Sequence, residues 1–334
     1  MDSALLLLGL VVLAAIVFDF INGFHDTANA IATVIATRVL APWQAILMAA
    51  GLNFAGALSG TAVAKTIGQG LVDASAITQS AVLAALLGAI VWNLFTWYYG
   101  IPSSSSHALV GGIVGGAVAH AGAQAPLWGT IVQKTILPFI VSPVIGFVMA
   151  VILMVVVSNA FGRAGRSTMR IGFGRAQLAS SAFMAFSHGS NDAQKTMGVV
   201  TIALISANML PKDSPIPTWV IAMAAIAMAF GTAAGGWRII KTMGTRLTHL
   251  QPVHGFVAET SAATVIEVAS RFGLPLSTTH TIASTIMGVG ATRGTGYVRW
   301  NVAGNMITAW ILTIPATALT AFLAYQALAL AGLG

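Results

Sequence analysis

The sequence carries the same short polar motif twice, and this duplication decides the fold. The first copy is NGFHD at 22–26 and the second is HGSND at 188–192, so that Asp26 aligns with Asp192 across 166 positions. Two further motif pairs recur in the same order, at offsets of 176 and 173 positions: KTIG at 65–68 with KTMG at 241–244, and GIPSSSSH at 100–107 with GLPLSTTH at 273–280. Three ordered pairs at similar offsets predict a chain of two homologous halves.

The composition predicts that these halves lie in a membrane. The chain has 334 residues, of which 57% are hydrophobic and 7% charged, and its mean hydropathy is +0.87. Soluble domains carry about 25% charged residues, so the composition excludes a soluble enzyme, a nucleic-acid-binding protein and a disordered protein. Long apolar runs favour helices over the alternating strands of a β-barrel. The predicted fold class is an all-α polytopic membrane protein.

Basic residues indicate the boundaries and the orientation of the halves. The net charge is +7. The densest cluster of basic residues holds four arginines: Arg163, Arg166, Arg170 and Arg175. Lys and Arg collect in the cytoplasmic loops of membrane proteins, which explains the positive charge without a nucleic-acid partner. We therefore predict a first transmembrane repeat at 1–160, a basic cytoplasmic linker at 161–175 and a second transmembrane repeat at 176–334.

Each half is predicted to contain about five helical segments. In the first half the apolar segments are 4–36, 42–68, 76–98, 102–121 and 128–160. In the second half they are 176–208, 217–243, 252–272, 275–293 and 299–331. An odd number of crossings would orient the halves oppositely, as in the inverted repeats of secondary transporters. Polar, Gly- or Pro-containing motifs interrupt the first and fourth segments, which are predicted to be broken helices or re-entrant hairpins.

Carboxylates within the apolar segments are the first candidate functional residues, because an ionisable group at membrane depth is costly unless it is paired, hydrated or protonated. Five of the eight acidic residues lie within or beside such segments: Asp19, Asp26, Asp192, Glu259 and Glu267. Asp26 and Asp192 repeat within the duplicated motif, which favours a function. Asp19 and Glu267 have no counterpart in the other half, and a structural role explains them equally well.

The residues around the repeated aspartates are polar and include glycine. Gly23 and Gly189 predict an unwound backbone, which a membrane tolerates where it lines a cavity. Free carbonyls there can bind a cation, and free N–H groups can bind an anion. The polar neighbours that we single out are Asn22, His25, Asn29 and Asn191.

The two copies of the motif also differ from each other. His25 aligns with Asn191, and this asymmetry makes His25 a candidate for proton coupling. Lys195 aligns with Asn29. Its ammonium group could neutralise Asp192 or a bound anion, or could reach the membrane interface instead.

A second motif pair predicts an anion site. Pro102 and Pro275 each precede a run of hydroxyl residues and a following apolar segment, and Pro followed by Ser or Thr is typical of a helix start. Hydroxyls and exposed N–H groups then meet at the positive end of the helix dipole. The candidate anion ligands are Ser104, Ser105, Ser106, Ser277, Thr278 and Thr279. Each motif ends in a histidine, His107 or His280.

At these residues the sequence resembles the inorganic phosphate transporter (PiT) family, and it is most similar to the bacterial low-affinity phosphate permeases. The resemblance covers nearly the whole chain, including the duplication. The stretches that carry it are FINGFHDTANA at 20–30, FSHGSNDAQK at 186–195 and GLPLSTTH at 273–280. It implies cation-coupled import of inorganic phosphate across the bacterial cytoplasmic membrane by alternating access.

The resemblance also implies roles for individual residues. The Ser/Thr motifs would bind phosphate, and the paired aspartates would serve cation coupling. To the predicted phosphate ligands we add Asn22 and Asn191 of the duplicated motif. Glu259 lies in GFVAE at 255–259 and takes the place of a functional glutamate of the family. The predicted coupling set is Asp26, Asp192, Glu259, Asn29 and His25, with a Na⁺ site at the three carboxylates.

Several properties remain open at this stage. The coupling ion is H⁺ or Na⁺, and the substrate is free phosphate or a divalent metal–phosphate complex. No cofactor is expected, and the expected partners are phosphate, the lipid bilayer and a second copy in a homodimer. Sodium-coupled eukaryotic members have a further glutamate in the second segment, where this chain has NFAG at 53–56. This departure weakens the prediction of a eukaryote-like sodium stoichiometry.

Three other functions compete with phosphate import. The first is a permease of the same fold for sulfate or another oxyanion. The second is an intramembrane Ser/His hydrolase using Ser106–His107 or Ser187–His188, although adjacent residues on a helix point about 100° apart. The third is a passive anion channel. Buried carboxylates suit coupling better than passive anion flow.

Overall fold

The computed structural model describes residues 3–73 and 77–334, and these residues are almost entirely helical. The helices of the first half are α1 (Ser3–Ala36), α2 (Pro42–Ala57), α3 (Ala62–Gly70), α4 (Gln79–Tyr99), α5 (Ser105–Ala121), α6 (Trp128–Ile131) and α7 (Leu137–Phe161). Those of the second half are α8 (Arg166–Ser206), α9 (Thr218–Ala234), α10 (Trp237–Lys241), α11 (Pro252–Arg271), α12 (Thr278–Ala291) and α13 (Trp300–Leu330). A π-helical stretch joins α6 to α7, and another extends α10 to Arg246.

The five predicted segments of each half are confirmed. In the first half they correspond to α1, the pair α2–α3, α4, α5 and the run α6–α7. In the second half they correspond to α8, the pair α9–α10, α11, α12 and α13. By length and apolar composition four of the described helices could each cross a membrane: α1, α4, α6–α7 and α13. The number rises to six if each bent pair counts as one span.

The two halves are oriented oppositely, as an inverted repeat requires. One hydrophobic core contains residues 8–18 of α1 together with residues 193–205 of α8. The other core contains residues 28–34 of α1 together with residues 173–185 of α8. The start of α1 therefore packs beside the end of α8, so these equivalent helices run antiparallel. The polar stretches of both helices lie between the two cores.

The predicted unwinding at Gly23 and Gly189 is wrong, because α1 and α8 are continuous through both glycines. The glycines instead allow two helices to cross at backbone contact. A Cβ atom on Gly23 would lie 2.6 Å from the carbonyl oxygen of Met228 in α9, and one on Gly189 would overlap the carbonyl oxygen of Asn53 in α2. Small residues at such crossings let membrane helices approach closely, and an unbroken helix satisfies its own backbone groups.

The breaks in the chain lie in the second and fourth segments. The second segments bend by 70° between α2 and α3 and by 61° between α9 and α10. The fourth segments begin with non-helical stretches, 101–104 before α5 and 274–277 before α12, as predicted. We call these stretches the two tips. Because α5 and α12 have 17 and 14 residues, at ~1.5 Å per residue neither reaches the ~30 Å of a bilayer core.

The predicted basic linker at 161–175 spans the end of α7, a short connection and the start of α8. The connection between the halves covers only 162–165, and α8 already begins at Arg166. The remainder of the predicted linker forms the largely exposed first turns of α8. These turns carry the arginines beyond the apolar part of the helix.

Candidate substrate and cation site

The two tips and the helix starts that follow them lie in the polar layer between the cores. Ser106, at the start of α5, donates a hydrogen bond of 3.0 Å from its Oγ to the carbonyl oxygen of Leu276 in the tip before α12. Asp26 on α1 and Asp192 on α8 lie beside this contact, and both are buried. The structure thus brings together the duplicated motif and the Ser/Thr motif of both halves.

Asp26 is held by neutral hydroxyls and one imidazole. Ser105 Oγ donates to its Oδ2 at 2.6 Å, and Thr279 Oγ1 donates to its Oδ1 at 3.4 Å. His25 Nδ1 lies 2.6 Å from the same Oδ1. The other ring nitrogen of His25 lies 3.1 Å from Thr96 Oγ1 on α4. His25 therefore connects Asp26 to α4.

Asp192 is held by a buried cation. Lys195 Nζ donates to its Oδ1, and Thr278 Oγ1 donates to its Oδ2 at 3.1 Å. His188 Nε2 lies 3.3 Å from the same Oδ2. Lys195 also donates to Ser106 Oγ, and its Nζ lies 3.2 Å from the Leu276 carbonyl oxygen. Of the two alternatives for Lys195, the structure contains the one that neutralises Asp192.

Each tip is followed by the capped N-terminus of a helix. Ser104 Oγ accepts from the backbone N–H of His107 at 3.1 Å, and Ser277 Oγ accepts from that of His280 at 3.2 Å. The positive ends of α5 and α12 therefore both point at the polar layer. Since these two hydroxyls serve as caps, the hydroxyls that can bind a ligand are those of the next two residues of each helix.

The asparagines of the duplicated motif divide into two groups. Asn29 Nδ2 donates to Thr279 Oγ1 at 2.9 Å and to Thr278 Oγ1 at 3.2 Å, so it belongs to the site. Asn191 Nδ2 instead donates to Ser270 Oγ of α11 at 2.8 Å. The side-chain amide of Asn22 is buried and makes no hydrogen bond of ordinary geometry to any residue that the structure describes. Neither Asn22 nor Asn191 hydrogen-bonds to the described candidate anion ligands at 104–106 and 277–279, in contrast to their predicted place beside the phosphate.

Glu259 lies in a separate buried cluster. It accepts from Thr33 Oγ1 at 2.5 Å, from Gln177 Nε2 at 3.0 Å and from Ser180 Oγ. Thr33 is seven residues beyond Asp26 on α1, about 10 Å along the helix. The predicted three-carboxylate Na⁺ set is therefore not assembled. The ligand atoms that lie within 4.8 Å of one another come from Asp26, His188 and Asp192.

Residues that the prediction left out complete the polar layer. His188 Nδ1 lies 3.1 Å from Asn53 Oδ1, and Asn53 Nδ2 donates to Thr232 Oγ1 at 2.8 Å. His188 lies in the duplicated motif, so its position could have been inferred from the sequence. Asn53 lies in a stretch singled out only for its missing carboxylate, and nothing in its spacing indicated this contact.

The two motif histidines stack against each other and against aromatic rings. The ring centroids of His107 and His280 are 4.3 Å apart. Phe139 stacks on His107 at 3.8 Å, and Trp310 stacks on His280 at 3.9 Å. Both histidines are buried. They pack the starts of α5 and α12 against α7 and α13, and so fix the position of the tips.

Comparison with known proteins decides the family. The model of the phosphate transporter family matches residues 22–171 and again residues 163–321. The chain belongs to the phosphate transporter family. The double match also confirms the duplication, with one copy of the family domain in each half.

Individual relatives of this family member are similar over nearly their whole length. A probable low-affinity inorganic phosphate transporter of Rhizobium meliloti is 46% identical over 98% of both chains. One of Bacillus subtilis is 47% identical over 97% of this chain and 98% of its own. A solved structure, the sodium-dependent phosphate transporter, superposes with a TM-score of 0.89 at 26% identity and covers 97% of this chain and 99% of that one. The family consists of transporters, so the hydrolase alternative is wrong.

Proposed function

We propose that this multi-pass membrane protein imports inorganic phosphate by cation-coupled alternating access. The observation that carries the proposal is the meeting of two helix N-termini, one from each half, beside two buried carboxylates and one buried ammonium group. A helix N-terminus with hydroxyls is a ready anion site. The names of the similar proteins, which are phosphate transporters, agree with this substrate.

Phosphate would bind to the hydroxyl groups that donate hydrogen bonds to the two aspartates in this structure. Ser105 and Thr279 donate to Asp26, and Thr278 donates to Asp192. The carboxylate oxygens thus stand where the oxygens of a small oxyanion would accept the same bonds. Lys195 and Ser106 add a charge and a further hydroxyl at the same place. The phosphate ligands that we propose are Ser105, Ser106, Thr278 and Thr279.

The carboxylates create the need for a coupling cation. A phosphate anion that takes over these hydroxyls would face Asp26 and Asp192 across a short distance, and like charges in a buried site repel strongly. Binding H⁺ or Na⁺ at a carboxylate removes that repulsion. Transport of the anion therefore depends on the cation. The separate cluster around Glu259 of α11, to which α1 contributes Thr33, is a second place where a cation would act.

Carboxylates at the site would also favour phosphate over sulfate. At neutral pH phosphate still carries a proton that it can donate to Asp26 or Asp192, whereas sulfate carries none. A site built to accept that proton leaves an acceptor unpaired when sulfate binds, which costs affinity. The alternative of a sulfate permease predicts equal competition by both anions.

The inverted halves supply a route for alternating access. The site lies between equivalent helices that run antiparallel, so a rocking of one half against the other opens it to either side in turn. We place the arginines near 163–175 in the cytoplasm of a bacterial cell. The domain boundaries at 160 and 176, the homodimer and transport of a metal–phosphate complex stay predictions.

Uptake of labelled phosphate into liposomes that contain the purified protein tests this proposal. We expect accumulation against a concentration gradient when an inward H⁺ or Na⁺ gradient is applied, with sulfate competing at least ten times less well. A variant Thr279→Ala should lose most of the uptake, whereas Ser158→Ala, an exposed serine at the end of α7, should not. Uptake that never exceeds equilibrium would identify a passive channel and overturn the coupling.

A further inference from the structure

Asp19 differs from the other carboxylates of the polar layer. It lies seven residues before Asp26 on α1 and is fully buried. Neither of its carboxylate oxygens accepts a hydrogen bond from any residue within 3–73 or 77–334. Asp26, Asp192 and Glu259 each have several side-chain donors. Asp19 is thus a buried acid whose oxygens have no hydrogen bond of ordinary geometry, and its polar neighbours are neutral.

The surroundings of Asp19 are polar and also unsatisfied. The side chains of Thr196 on α8 and Asn22 on α1 lie close enough to its carboxylate to stabilise the charged form, although neither meets ordinary hydrogen-bond geometry. Both atoms of the Asn22 amide and the Thr196 hydroxyl make no hydrogen bond within the described part of the chain. Three neighbouring side chains with unused hydrogen-bonding capacity form a site that is built for a small species rather than for packing.

The charged groups that act electrostatically on Asp19 are Asp192 and Lys195, both on α8. The sequences of α2 and α9 contain no ionisable residue. The ionisable residues of α4 are Tyr98 and Tyr99, which lie at the exposed C-terminal end of that helix. Gly236, which precedes α10, meets α1 at Phe24, and α11 and α12 contact α1 beyond Phe24 through Glu259 and Thr279. Asp19 therefore lies within electrostatic reach of the Asp192–Lys195 pair and forms no ion pair within the described part of the chain.

We propose that Asp19 is the carboxylate that takes up and releases the coupling proton, an inference that rests on the proposed function. An ionised carboxylate without donors is costly inside a membrane protein, whereas the carboxylic acid is neutral. A proton needs one oxygen lone pair, which Asp19 offers. Sodium needs a shell of several oxygen ligands, and Asp19, Asn22 and Thr196 supply only a few.

The position of Asp19 explains how the proton would be coupled to phosphate. With Asp19 ionised, the charge of Lys195 acts on two carboxylates, Asp192 by direct contact and Asp19 at longer range. A proton that enters from one side and bonds to an Asp19 oxygen removes one negative charge, so that more of the Lys195 charge is available to an anion held by Ser106. When the proton leaves to the other side, anion affinity falls again. By linkage, bound phosphate favours the protonated acid to the same extent.

The variant Asp19→Asn tests this role, because asparagine is neutral and similar in shape to the protonated acid. We expect Asp19→Asn to bind phosphate and to exchange internal for external phosphate at equal pH. It should lose at least ten-fold in accumulation driven by an inward pH gradient. Between pH 5.5 and 8.5 the phosphate Kd of the unmodified protein should rise about ten-fold more than that of Asp19→Asn. This comparison cancels the titration of phosphate itself.

Further variants and a stability measurement serve as controls for this experiment. Asp19→Glu should restore accumulation driven by the pH gradient, because it restores the titratable group. Asp213→Asn removes an exposed carboxylate and should behave as the unmodified protein does. Asp19→Asn should unfold at the same or a higher temperature, since it removes an unpartnered buried acid, and this measurement separates loss of coupling from loss of folding.

The outcomes also separate this inference from the function on which it rests. If the unmodified protein accumulates no phosphate under any gradient, the proposed function fails. If it accumulates phosphate in a pH gradient and Asp19→Asn does so equally well, the function stands and the role of Asp19 is overturned. Accumulation that follows a Na⁺ gradient alone, and that Asp19→Asn abolishes, would overturn the proton and assign Na⁺ to Asp19.

Discussion

The two halves place equivalent residues in equivalent contacts and give them different charges. Asp26 accepts from Ser105 of its own half, and Asp192 accepts from the aligned Thr278 of its own half. Asn29 reaches Thr279 across the centre. Lys195, which aligns with Asn29, reaches Ser106 in the same crosswise manner. The frame of the site is therefore symmetric.

The difference lies in the residue that neutralises each aspartate. In the second half the ammonium group of Lys195 contacts Asp192, whereas in the first half the aligned residue is a neutral asparagine and Asp26 contacts His25. A coupled transporter needs one part of its site to attract the anion in every cycle and another part to respond to a changing cation. We infer that the second half supplies the constant positive charge and that α1 supplies the carboxylates that respond.

The largest effect should come from removing that constant charge. Lys195→Met leaves Asp192 buried without its cation, which typically costs about 3–5 kcal/mol of stability, and phosphate uptake should fall below one-tenth. The double variant Lys195→Met with Asp192→Asn should recover most of the stability and none of the uptake. Thermal unfolding in detergent and uptake into liposomes measure the two effects.

A matched control for this prediction is Lys134→Met, which removes an exposed lysine and should change neither quantity. The asymmetry would be contradicted if Asn29→Met lowered uptake and stability as much as Lys195→Met does. That result would mean that the contacts across the centre matter and the charge does not.

Substitution of Gly23 and Gly189 tests the close helix crossings that both halves share. Gly23→Ala and Gly189→Ala should each destabilise the protein by about 1–3 kcal/mol, because the added methyl group meets a backbone carbonyl of the crossing helix. Gly189→Ala should have the larger effect, since its Cβ would overlap the Asn53 carbonyl. Gly51→Ala, in a helix with open space at this atom, should be neutral or slightly stabilising. Equal melting temperatures for all three variants would contradict backbone contact at the crossings.

The order of the helices could be predicted because apolar length and repeated motifs are local properties. The tips before α5 and α12 followed from Pro and Ser/Thr in the same way. The meaning of Gly23 and Gly189 could not be predicted, because a glycine that loosens a helix and a glycine that admits a neighbouring helix look the same in one chain. Only the positions of α2 and α9 distinguish them.

The members of the candidate site could be predicted where both halves carry the same residue at aligned positions. They could not be predicted where only one half carries the residue. Asp26 and Asp192 were found by duplication and meet as expected. Glu259 and Asp19 have no such pair, and their places depend on how far each lies along its helix. That distance put Glu259 into its own cluster with Thr33, and it left Asp19 within electrostatic reach of Lys195 on α8.

The smallest expected effect compares the two aligned hydroxyls at the starts of α5 and α12. Ser105→Ala removes one donor from Asp26 and leaves His25 and a long contact from Thr279. Thr278→Ala removes one donor from Asp192 and leaves Lys195 and His188. A hydrogen bond to a charged group contributes about 1.5–3 kcal/mol. We therefore expect a clear loss of phosphate affinity in Ser105→Ala and a loss at least three-fold smaller in Thr278→Ala.

Titration of phosphate binding to the purified variants, beside Ser158→Ala as the exposed control, measures this difference. The expected order follows from charge, because Lys195 continues to hold Asp192 in place after the hydroxyl is lost, whereas no permanent cation holds Asp26. Equal losses in both variants would show that phosphate uses the two hydroxyls alike. The charge difference between the halves would then act on cation coupling and leave anion binding symmetric.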